Sequence, residues 1–91
     1  MHYLLFYEAI DNYVEKRAPY REEHLKVIQS SYDQGDLVMA GATGDPASGG
    51  VFIFKVEDVK KVEAFAASDP YVQNGLIKSW YVKPWKVVIG D

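Results

Sequence analysis

Three segments of this chain carry large apolar side chains on both alternating faces, yet its helical patterning is enough for only two helices. Across residues 3–10, Leu4, Phe6 and Ile10 fall on one side and Tyr3, Leu5 and Tyr7 on the other; this reads as a strand buried on two sides. Val51-Phe52-Ile53-Phe54-Lys55-Val56 repeats the pattern more clearly. Residues 76–89 do so again, with Ile77, Trp80, Tyr81, Val82 and Trp85 interrupted by Pro84. A proline inside a strand points to an edge position or a bulge, so a bend is expected near Pro84. A fourth, weaker strand is read over residues 37–42, closed by Gly41 and followed by the turn-forming stretch Thr43-Gly44-Asp45-Pro46-Ala47-Ser48-Gly49-Gly50. The first helix is predicted from about Pro19 to Gly35, with Leu25, Ile28 and Tyr32 on its buried stripe. Glu57-Asp58 opens the second, where Val59, Val62, Phe65 and Ala66 share a face, and Pro70 stops it.

The resulting order, strand-helix-strand-strand-helix-strand, is the split βαβ arrangement: an α+β, ferredoxin-like βαββαβ fold with a four-stranded antiparallel sheet. Residues 1–91 are read as one domain, with no internal repeat or linker. Two helices cover one face of such a sheet and leave the other bare. An apolar face of that extent exceeds what a soluble monomer usually exposes, so a homodimer packed sheet against sheet is expected. The alternative is a monomer whose C-terminal strand folds over its own sheet.

Composition narrows the function by exclusion. The net charge of -3 offers no broad positive field, so no nucleic-acid partner is expected. Without cysteine there is no disulfide framework, thiolate nucleophile or cysteine-ligated metal. Tyr3-Leu4-Leu5-Phe6-Tyr7 is too short to span a bilayer and lacks a charged n-region, so no membrane association is expected and the cytoplasm is the default location. His2 and His24 lack zinc-site spacing, the glycines fit neither the P-loop nor the dinucleotide fingerprint, and no Gly-x-Ser-x-Gly elbow occurs.

The polar candidates that remain are few. At about 100° per residue, Arg17, Arg21 and His24 lie near the stripe of the first helix, Arg21 nearest its centre. Arg17 loses that place if it precedes the regular helix. A buried arginine is rarely left unpaired, and Asp69, at the punctuation Asp69-Pro70-Tyr71, is the best acidic partner, since the two helices lie side by side on one sheet face. An imidazole beside a carboxylate is a general base suited to neutral pH. Tyr7, Tyr71 and Trp80 could then wall a pocket for a flat ligand, with Arg17 or Arg21 meeting its anionic group. Each residue also has a plainer role: His24 as a structural side chain, Asp69 as an N-cap before a proline at N1, and the arginines as surface partners of Glu15, Glu22 or Glu23. The aromatics could equally be core or interface residues.

Glu15-Lys16-Arg17, Arg21 with His24-Leu25, Asp33-Gln34-Gly35 with Leu37, Ala40-Gly41, Ser68-Asp69-Pro70-Tyr71-Val72 with Gly75, and Val82-Lys83-Pro84-Trp85 run in this order over nearly the whole chain. Together they resemble the YciI-like (YCII-related) family of the dimeric α/β barrel superfamily. The resemblance implies a ferredoxin-like fold that dimerises through its sheets and a His and Asp pair proposed as active site, mapping onto His24 and Asp69, with the family's helical arginine at Arg21. A branch of the family is linked to dehydrochlorination of hydroxylated aromatic rings, and related folds include muconolactone isomerases and cofactor-free oxygenases. One departure is the short stretch between the second and third strands, where many members carry an insertion.

The leading expectation is a homodimeric enzyme acting on an aromatic or enol-type small molecule by proton transfer, of lyase, dehydrochlorinase or isomerase type, with no metal or organic cofactor. His24 would move the proton, Asp69 orient the imidazole and Arg21 hold an anionic oxygen. A non-catalytic dimer that binds or senses a metabolite is the rival, and a purely structural dimer with no cavity beside His24 is the third.

Overall fold

The computed structural model describes residues 1–90. Along the chain lie β1 (His2–Ala9), α1 (Tyr13–Lys16), a 3-10 turn (Ala18–Tyr20), α2 (Arg21–Asp33), β2 (Leu37–Thr43), β3 (Gly49–Lys55), α3 (Lys60–Ser68), α4 (Pro70–Gln73) and β4 (Ile77–Trp85). The sheet order is β2-β3-β1-β4, and all three pairings are antiparallel. This is the ferredoxin-like arrangement expected from the sequence, with two single-turn helices, α1 and α4, added to it.

Register separates the two faces of the sheet. Leu5 stands opposite Phe52 and Val82, and Leu37 opposite Phe54. These side chains form the core under the helices, where Phe52 and Phe54 meet Phe65 of α3 at ring separations of 5.3 and 5.1 Å. Val62, Phe65 and Ala66 are the buried face of α3, as their spacing predicts. On the other face Leu4 lies opposite Ile53, which pairs in turn with Met39, and Phe6 stacks on Tyr81 at 5.0 Å. Among the described residues no helix covers that face; Met39 is 63% exposed, and Tyr81 and Trp85 are exposed too.

Three expectations are corrected. The stripe of α2 is not Leu25, Ile28 and Tyr32, since Leu25 is 46% and Tyr32 56% exposed. The helix instead turns His24, Val27, Ile28 and Ser31 inward, at the i, i+3, i+4, i+7 positions. Hydropathy ranking missed this because two of the four are polar. The last strand stops at Trp85, short of the expected Ile89, and Val88 and Ile89 are almost fully exposed. Pro84 sits regularly opposite Tyr3 on β4, an edge strand that tolerates its missing N–H; the irregularity falls between Glu8 and Ala9 instead. Finally, Gly49 and Gly50 belong to β3 rather than to a loop. A Cβ at Gly49 would collide with the Tyr7 carbonyl oxygen, so glycine lets β3 approach β1 there.

Candidate active site

Asp69 owes its position to its neighbour. A residue preceding proline is pushed out of the helical region, and Asp69 is extended (φ -73°, ψ 124°), ending α3 and turning its side chain back over the start of α4. Its Oδ1 accepts from the Tyr71 backbone N–H at 3.0 Å, so the N-cap reading holds. The same carboxylate is fully buried. Its Oδ1 also lies 2.8 Å from His24 Nδ1, and its Oδ2 accepts from the Tyr7 hydroxyl at 2.7 Å. An ionised carboxylate only accepts, so the Nδ1–H of His24 is the donor and Nε2 is the ring nitrogen left over.

His24 reaches this carboxylate from the inward stripe of α2. Its ring is buried and stacks on Tyr71, with centroids 3.6 Å apart and planes 8° from parallel; Phe52 presents an edge at 6.5 Å. Burial pushes the Tyr7 phenol far above its ordinary range, and the charge and hydrogen bond of Asp69 push the same way. Tyr7 is therefore a fixed neutral donor. Burial raises the Tyr71 phenol also, opposed by the Arg21 and Arg17 guanidiniums nearby.

A cavity of about 260 Å³ opens beside the imidazole, at the small end of ligand sites and suited to one ring. Arg21, His24, Leu25 and Ile28 of α2 line one wall, and Tyr7, Tyr13 and Phe52 contribute others. Leu25 is exposed because it borders this opening rather than the core. The floor consists of Ala40, Gly41 and Ala42 of β2 against Gly49 and Gly50 of β3. Sequence reasoning placed Ala40, Gly41 and Ala42 on a strand but missed the floor by assigning Gly49 and Gly50 to a turn. A wider groove of about 610 Å³ between α2 and α3, lined by Lys26, Ser30 and Lys61, contains no imidazole.

Of the residues singled out from sequence, Tyr7, Arg21, His24, Asp69 and Tyr71 come together. Arg17 does precede the regular helix; it lies over the Tyr13 ring, 5.1 Å from the centroid, outside the cavity lining. Trp80 faces Tyr7 across the β1–β4 pairing and packs half-buried on the core, also outside the lining. Among the described residues neither arginine forms a salt bridge, and Glu22 and Glu23 pair with Lys26 instead. No three His, Asp or Glu side chains among the described residues converge as around a metal ion, and no helix is long and apolar enough to cross a membrane.

Comparison with known proteins places this geometry in a lineage. The YCII-related domain model matches residues 1–86. Over 99 residues the chain is 32% identical to an uncharacterized protein of Haemophilus influenzae, covering 97% of this chain and 99% of that one. Protein YciI of Escherichia coli is 32% identical over 97 residues, with the same coverage. Among solved structures, 5-chloro-2-hydroxyhydroquinone dehydrochlorinase (TftG) from Burkholderia phenoliruptrix AC1100, in complex with 2,5-dihydroxybenzoquinone, gives a TM-score of 0.80 at 21% identity over 94% of each chain. At that identity the likeness is one of fold.

Proposed function

The chain belongs to the YCII-related family, and from that premise we propose that it is a small cytoplasmic homodimeric enzyme performing proton-transfer chemistry on an aromatic or enol-type small molecule. The observation that carries this reading is the buried Asp69–His24 pair at the wall of a ring-sized cavity. His24 Nε2 takes the proton of an enolic or phenolic hydroxyl. The imidazolium that forms is balanced by Asp69 and lies flat on Tyr71, an arrangement that favours the cation. Arg21, which forms no salt bridge among the described residues, holds the oxygen that becomes anionic. The fold's likeness to a dehydrochlorinase supports elimination, in which substrate loses a proton to the base and chloride as leaving group. The reading calls on no cofactor. The bare sheet face, with Phe6, Met39, Ile53 and Tyr81, packs against the same face of a second copy.

A second reading, a dimer that holds an anionic metabolite without converting it, is favoured by Arg21 in the cavity wall, which has no salt-bridge partner among the described residues. Incubation with 5-chloro-2-hydroxyhydroquinone, with chloride release and products followed together, separates the two. Turnover that drops by about 100-fold or more in His24→Ala, with the fold retained, supports the enzyme. Full activity in that variant overturns the role of His24, and binding without product favours the holding dimer.

A further inference from the structure

Tyr7 does more than wall the cavity. Asp69 Oδ1 has two donors, His24 Nδ1–H and Tyr71 N–H, whereas Oδ2 has only the Tyr7 hydroxyl, 62 residues away in sequence. The phenol is itself held hard: its ring packs on Phe52 at 4.6 Å, and its backbone carbonyl sits where a Cβ on Gly49 would be. A buried carboxylate with both oxygens engaged cannot turn about its Cβ–Cγ bond without losing a charge-assisted hydrogen bond. With Oδ2 empty, only the two bonds at Oδ1 resist that rotation, and the oxygen facing His24 is held less firmly.

We infer that Tyr7 is a positioning residue for His24: its hydroxyl locks the plane of the Asp69 carboxylate, which holds the imidazole with Nδ1 protonated and Nε2 bare toward the cavity. The inference rests on the proposed base role of His24 only for its catalytic meaning; the lock itself is a property of the unliganded protein. The groups facing the imidazole are Asp69 and Tyr71 from the α3–α4 junction, Tyr7 from β1, Tyr13 from α1 and Arg21 from α2. Among them Tyr71 provides the control. Its hydroxyl is buried beside the Arg21 guanidinium and makes no hydrogen bond to the Asp69 carboxylate, so removing it deletes a polar atom beside the site without unlocking the carboxylate.

The test is nitrogen-15 NMR of the imidazoles at about pH 8, in wild type, Tyr7→Phe and Tyr71→Phe, with His2 as internal reference. Wild type and Tyr71→Phe should show His24 as a single tautomer with bare Nε2. Tyr7→Phe should show mixed tautomers and an Nδ1–H that exchanges with water about tenfold faster, as expected for one lost hydrogen bond to a charged group. A Tyr7→Phe protein that keeps the wild-type signature overturns the inference and leaves the enzymatic proposal standing. If that variant does not fold, the wild type decides: a slowly exchanging Tyr7 hydroxyl proton that disappears in Asp69→Asn supports the lock, and its absence in wild type overturns it.

Discussion

Asp69→Ala and Asp69→Asn separate the structural weight of one carboxylate from its chemistry. The alanine strands three donors at a fully buried position: the Tyr71 N–H, the Tyr7 hydroxyl and the His24 Nδ1–H. Loss of the cap costs about 1 kcal/mol. Each stranded buried side-chain donor costs about 1–3 kcal/mol, so the total comes to about 3–7 kcal/mol. A domain of this length has about 5–14 kcal/mol of stability in all. With a urea slope of about 1 kcal/mol/M, the midpoint should fall by about 3 M or more, or the variant should fail to fold. Asparagine keeps the cap and the acceptor for His24. It places an amide NH₂ against the Tyr7 hydroxyl, which must turn to accept, and a cost of about 1–2 kcal/mol follows. Urea unfolding followed by Trp80 and Trp85 fluorescence and by far-ultraviolet circular dichroism measures both. An alanine variant that unfolds within about 0.5 M of wild type would refute the view that this carboxylate holds α2, β1 and α4 together.

Three further outcomes follow from geometry elsewhere. Tyr7 and Tyr71 both sit above the ordinary value of 10.0, so above that pH the unfolded chain sheds phenolic protons that the folded chain keeps. Their contribution is intact below pH 10 and lost as pH rises further; urea midpoints should fall from about pH 9 to 11, less steeply in Tyr7→Phe, and an equal slope in both proteins contradicts the assignment. Gly49→Ala drives a Cβ against the Tyr7 carbonyl, which is backbone and cannot swing aside; a loss of about 1–3 kcal/mol by calorimetry is expected, and an unchanged melting temperature contradicts it. Tyr81→Glu puts a charge on the bare sheet face where it remains solvated in a monomer, so sedimentation should show dimer for wild type and monomer for the variant, with circular dichroism unchanged. A wild type that sediments as monomer removes the dimer proposal.

Much of this was legible in the sequence because it rests on local pattern. Two-faced strands, two helices and Pro70 fix the element order, and Asp69 before Pro70 announces a cap. Topology brought Asp69 toward the first helix, where it was matched to an arginine as well as to His24, and the pairing with His24 was what the family resemblance implied. What escaped depended on contacts between distant segments. Tyr7 has nothing in its neighbourhood to mark it as a donor to residue 69. The half of the cavity floor at Gly49 and Gly50 looked like loop because glycines weaken a strand signal, and the inward face of α2 was misplaced because a buried imidazole counts as polar. Arg17 followed its stated condition: preceding the regular helix, it lost its place on that face.

The use of one side chain as both helix cap and imidazole partner ties the orientation of His24 to the local order of α4. Any excursion that frays the turn at Pro70–Gln73 also frees the carboxylate, so a partly opened molecule loses the partner that orients the His24 imidazole. Four residues of helix thereby hold the imidazole in register.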